Sequence, residues 1–266
     1  MDGFAPFEKP QMISAKVARG KHSPTQFFTP HNTTGQHARI GETASPPPPL
    51  GAQSETITLP VTAKDALLVI DVQNDFCPGG ALAVGDGDAV VDVINPLIEQ
   101  FSTVVITQDW HPAAHQSFAS QHAGAEPFST TQMPYGEQTL WPDHCIQGTS
   151  GAEFHSRLNT DAGSIIIRKG MRASVDSYSA FFENDKSTTT GLSGYLREAG
   201  IERVYCCGLA YDFCVRFSAE DARRQGFETV VLTDACRAID MDGSAEAAST
   251  AMRAAGIELT TPNNLG

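Results

Sequence analysis

The sequence predicts an α/β fold: a doubly wound, mainly parallel sheet with helices on both faces. Two observations predict it. Short, continuous apolar runs recur along the chain, as strands buried on both faces require. Stretches with helical spacing lie between them, and three of these stop at a glycine just before the next run.

The first run is "ALLVIDV" from Ala66, followed by "TVVITQD" (103–109), "SIIIRKG" (164–170), "RVYCCG" (203–208) and "TVVLTD" (229–234). Helices are expected at 88–100, 192–199, 213–225 and 245–255. The last three end in "REAGIERV", "RRQGFETV" and "RAAGIELT", so Gly200, Gly226 and Gly256 fit the left-handed position that ends a helix.

Residues 1–60 differ from the rest. They are rich in Pro, Ser, Thr and Gly, and the prolines Pro46 to Pro49 favour an extended spacer. The expectation is a disordered extension over 1–60 and a catalytic domain over 61–266. The extension begins with a basic, hydroxyl-containing stretch, "MISAKVARGKHSPTQFF", which keeps organelle targeting open beside a cytoplasmic location.

A net charge of −13 argues against a nucleic-acid partner, since phosphate backbones select basic surfaces. No apolar run approaches the roughly 18 residues that span a bilayer, so no membrane partner is expected either. The six cysteines show no CxxC spacing and no export signal precedes them. Reduced thiols are expected, with no structural zinc held by thiolates.

Open parallel sheets bind ligands at the carboxyl ends of their strands. The first three runs deliver Asp71, Asp109 and Lys169 to that edge, the fourth leads to Cys214, and the fifth delivers Asp234. Cys214 falls where a helix pattern starts, and a helix N-terminus lowers a thiol pKa. Cys206 and Cys207 lie within a strand and read as packing. Asp71 is placed to take the thiol proton and Lys169 to hold the negative charge. Asp109 and His111, two apart on an extended segment, point the same way, and His144 of "LWPDHC" completes a His₂-carboxylate set. Such a set suits a divalent transition ion with open positions. A surface histidine pair beside an aspartate is the alternative. His115 and His122 are placed outside this set.

Taken together, "VIDVQNDFCPGGALAV", "TQDWHPAAHQSFAS", "LWPDHCIQGT", the lysine of "IIRKG" and "GLAYDFCV" resemble the nicotinamidase/pyrazinamidase family of isochorismatase-like cysteine hydrolases. The resemblance runs from about Ala66 to near the C-terminus. It implies the isochorismatase-like hydrolase fold and hydrolysis of the small molecule nicotinamide to nicotinate and ammonia, a step in NAD salvage. Pyrazinamide is the further substrate it implies. Asp71, Lys169 and Cys214 would be the catalytic triad, and Asp109, His111 and His144 would hold one divalent metal ion, zinc first, with iron and manganese as alternatives. The resemblance also implies a cis peptide between Leu209 and Ala210 and an oxyanion hole from the backbone N–H groups of Ala210 and Cys214. Phe76, Leu82 and Trp141 would flank the substrate ring, with Tyr178 an uncertain neighbour. Some members place a further metal ligand in the loop after the D-x-H element, where this chain offers only His115. A homo-oligomer is left open. Two rivals remain: an amidase of the same superfamily acting on a carbamoyl or ureido substrate, and a non-catalytic, flavodoxin-like binding or redox module.

Overall fold

A computed structural model describes residues 60–265. The expected extension therefore lies, apart from Pro60, outside the described residues. Six parallel strands form one sheet in the order β5-β2-β1-β6-β7-β8: β1 Asp65–Ile70, β2 Thr103–Asp109, β5 Ile165–Lys169, β6 Arg203–Leu209, β7 Glu228–Arg237 and β8 Glu258–Thr260. Helices α1 Val90–Ile98, α2 Leu192–Glu198, α3 Arg216–Arg224 and α4 Ser244–Ala254 flank it.

Position in the sheet follows from side-chain character. Every residue of β1 is buried, as a central strand with both faces covered requires. β5 alternates, with Ile166 and Arg168 exposed, as fits the sheet edge. α1, α3 and α4 all contact the β6–β8 half, and α3 packs on α4.

The structure adds elements the sequence reading did not expect. They form an antiparallel hairpin of β3 Thr130–Met133 and β4 Gly136–Thr139, whereas the edge strand β8 lies where the helix stop at Gly256 placed a strand. Both hairpin strands are short and mostly polar, so neither shows the apolar run that marks the central strands. The first helix is also shorter than expected, beginning at Val90 after a tight turn over Gly87–Ala89.

β6 approaches β1 closely at Gly208, whose φ is +113°. A Cβ there would lie 2.1 Å from the Ile70 carbonyl oxygen. Only glycine allows this approach, and the pairing of β6 with β7 shifts register between Cys206 and Gly208. Both features lie just before Ala210.

Candidate active site

The parallel order brings the ends of β1, β2, β5 and β6 to one edge, and with them Asp71, Asp109, Lys169 and Ala210. Asp234, expected at the same edge, is not part of the cluster. β7 continues past it to Arg237, and the Asp234 side chain is exposed. The register shift opposite Gly208 is what lets β7 run on.

Cys214 lies in a π-helical turn, Tyr211–Val215, in which the Val215 N–H donates to the Ala210 carbonyl at 3.1 Å. The turn continues as α3. The expected lowering of the thiol pKa by a helix start does not prevail. Burial pushes the Cys214 thiol well above its ordinary value; Lys169 opposes this, and Asp71 and Asp109 add to it. Desolvation of a thiolate outweighs the dipole here, so the resting group is a thiol that needs a base beside it.

Lys169 is buried at the centre of the cluster. Its Nζ donates to the Ser177 carbonyl at 2.9 Å and contacts Cys214 Sγ at 3.5 Å. Asp71 Oδ2 lies 2.8 Å away and Asp109 Oδ1 3.1 Å away. Both contacts are buried ion pairs, and they hold the two carboxylate oxygens on the same ammonium. Burial alone would lower the Lys169 pKa, but Asp109, Asp71 and Cys214 raise it well above the usual lysine range. Burial raises the Asp71 pKa; Lys169 opposes this and Asp109 adds to it. The Thr107 hydroxyl fixes the other Asp71 oxygen, donating to Oδ1 at 2.6 Å while accepting the Asp71 N–H at 3.1 Å. One oxygen is thus locked, and the other faces the ammonium. A carboxylate of raised pKa in this position can take a proton from a neighbouring thiol and return it.

Asp109, His111 and His144 are all buried, with one ligand atom from each lying within 4.8 Å of the others. His111 Nδ1 pairs with the Gly170 carbonyl at 2.9 Å and His144 Nδ1 with the Pro142 carbonyl at 2.8 Å. Donation of both Nδ1–H groups to carbonyls turns the two Nε2 lone pairs toward Asp109 Oδ2, at 3.0 and 3.5 Å. Three lone-pair-bearing atoms facing one another need a cation between them, and two imidazoles with one carboxylate fit a divalent transition ion. Gly170 makes room for the set, since a Cβ there would fall 2.4 Å from the His111 ring.

His115 is buried and packs against His111, with ring centroids 4.1 Å apart and the rings tilted by 39°. Its Nδ1 pairs with the Ser117 hydroxyl at 2.7 Å and its Nε2 with the Val175 carbonyl at 3.2 Å, so both nitrogens are occupied. Burial lowers its pKa to about 4 and keeps the ring neutral. It buttresses His111. His122, also outside the set, pairs with the Gln116 carbonyl.

A small pocket opens at Cys214, lined also by Ala210, His144 and Asp109. Phe76, Leu82, Trp141, Tyr178, Phe213 and Ile239 supply its apolar walls, which suit a small aromatic ligand. Trp141 meets Phe213 edge-on at 4.9 Å, and Phe76 meets His144 edge-on at 5.5 Å. The Leu209–Ala210 peptide is cis.

The isochorismatase domain model matches residues 65–263. The chain belongs to the isochorismatase family. It is 52% identical over 200 residues to a nicotinamidase of Acinetobacter baylyi, covering 75% of this chain and 94% of that protein. A solved structure from L. infantum in complex with nicotinate is 40% identical with a TM-score of 0.69, covering 79% of this chain and 98% of that one. A pyrazinamidase of Pyrococcus horikoshii solved in complex with zinc is 37% identical with a TM-score of 0.61, covering 74% and 99%.

In this isochorismatase-family chain the sequence reading missed several residues around the site. Thr107 had a signal, a hydroxyl among the buried residues of β2, two before Asp109. Asp176 lines the cavity and lies close to His111 and His115, but no periodic element marks its loop. Phe213 adjoins Cys214 in sequence, and Ile239 arrives from the loop after β7 with no signal at all.

Proposed function

We propose that this chain is a nicotinamidase, hydrolysing nicotinamide to nicotinate and ammonia through a thioester on Cys214, as a step in NAD salvage. The observation that carries the reading is the position of the Lys169 ammonium, in contact with the Cys214 thiol, Asp71 and Asp109 beneath an aromatic cavity. The similarity to nicotinamidases and to a nicotinate complex supports the substrate.

Asp71 accepts the Cys214 proton, and the sulfur attacks the carboxamide carbon. The carbonyl oxygen takes up the electron pair and faces the backbone N–H groups of Ala210 and Cys214. Asp71 returns the proton to the amide nitrogen, the C–N bond breaks, and ammonia leaves a thioester. A water then gives one proton to Asp71 as its oxygen attacks the thioester carbon; the C–S bond breaks, that proton goes back to sulfur, and the acid departs as nicotinate once its remaining proton passes to solvent. Lys169 stays charged throughout and keeps the two carboxylates from repelling each other. Phe76, Leu82 and Trp141 flank the ring.

Asp109, His111 and His144 would hold a divalent ion, with zinc first and iron or manganese as alternatives; the zinc in the Pyrococcus relative supports this choice. When bound, that ion supplies a Lewis-acid anchor that orients the pyridine ring. The test is ammonia release from a panel of nicotinamide, pyrazinamide and ureido compounds, before and after chelation. The proposal expects release from the two aromatic amides, loss on chelation, and recovery with zinc, iron or manganese. Turnover of the ureido compounds alone would sink it.

A further inference from the structure

The loop between β7 and α4, "AIDMDG" (238–243), supplies Ile239 to the cavity wall. Its backbone is unfavourable in isolation, with Asp240 at φ +54° and Asp242 at φ +50°, both in the left-handed region. One buried carboxylate holds it. Asp212 Oδ1 accepts the Ile239 N–H at 3.0 Å, and Oδ2 accepts the Asp240 N–H at 2.8 Å and the Ser244 hydroxyl at 2.5 Å. Asp212 is 2% exposed, and no lysine or arginine pairs with it among the described residues. Both carboxylate oxygens are thus spent on this loop and on the first residue of α4.

Asp212 sits two residues before Cys214 in the same π-helical turn. The wall residue and the nucleophile are therefore fastened to one rigid unit. We propose that Asp212 is a positioning residue that registers the Ile239 wall against Cys214, and that Ile239 thereby decides which ring-substituted aromatic amides fit. This inference rests on the amidase reading above and adds the part of the chain that sets its selectivity. Asp212 makes no contact with the reacting atoms; it acts through the loop.

The test compares kcat/KM for nicotinamide with kcat/KM for its ring-methylated isomers, in the unaltered chain, in Ile239→Ala and in Asp212→Asn. The ratio of two substrates does not depend on how much of a variant is folded, so a merely structural role would leave it unmoved. Removing the Ile239 side chain opens room for a methyl group, and the ratio for at least one isomer is expected to rise about tenfold or more. Asp212→Asn, which keeps the shape but loses acceptors, is expected to favour the same isomer by a smaller factor. Ratios within about twofold of the unaltered chain in either variant overturn the proposal. Binding of the corresponding methylated nicotinates by calorimetry gives the same comparison without turnover. Absence of ammonia release from the unaltered chain would refute the amidase reading while the binding ratios still decide the wall. A chain that neither binds nor turns over these pyridines overturns both.

Discussion

Thr107 is the residue through which the proposed base is tuned. Its hydroxyl donates to Asp71 Oδ1 and favours the ionised carboxylate, against a burial that raises the pKa. Activity needs Asp71 ionised, so it rises as pH rises through the Asp71 pKa. Thr107→Val removes the donor, raises that pKa further and moves the acid limb of the kcat profile to higher pH, while Thr107→Ser restores it. Measurement at saturating metal isolates this effect, and an unmoved limb would remove Thr107 from the account. Lys169 gives a stability prediction at the same scale. Lys169→Met leaves Asp71 and Asp109 buried without their shared cation, which costs about 3–5 kcal/mol. Chemical denaturation reads this directly, and a loss under 1 kcal/mol would mean the carboxylates are not jointly ionised.

At the scale of elements, two glycines hold the geometry. Gly208→Ala forces a Cβ onto the Ile70 carbonyl and a left-handed alanine, costing about 1–3 kcal/mol from the backbone alone. Urea titration should show that loss. Gly170→Ala pushes the His111 ring away from Asp109, so divalent-ion affinity measured by competition should drop even where the fold survives. The central strands were legible in the sequence because burial on both faces leaves unbroken apolar runs, and the residues that end β1, β2 and β5 followed from that. Asp234 misled for a related reason: an acid after an apolar run looks like a strand end, yet the register shift beside Gly208 lets β7 continue. The π-helical turn was illegible because its sequence, "YDFCV", fits an ordinary helix start equally well. Ile239 and Asp176 come from loops, where position depends on long-range bonds such as those of Asp212 and not on local pattern.

For the whole molecule, the acidic balance and the site serve different ends. A net charge of −13 does little to steer a neutral amide toward the cavity, so kcat/KM for nicotinamide should change little between low and high salt. A steep salt dependence would instead point to a charged substrate. No helix among the described residues is long and apolar enough to cross a membrane. Fold and family agree on an isochorismatase-like α/β chain, in which an aromatic-walled pocket lies at the buried Cys214 thiol. The central claim is that Cys214 carries the acyl group. Rapid quenching during turnover of nicotinamide, followed by mass spectrometry of the peptides, tests it most directly. The account predicts a nicotinoyl adduct on the Cys214 peptide alone, absent in Cys214→Ala, which releases no ammonia while still binding the amide. Ammonia release by Cys214→Ala at the unaltered rate would contradict it.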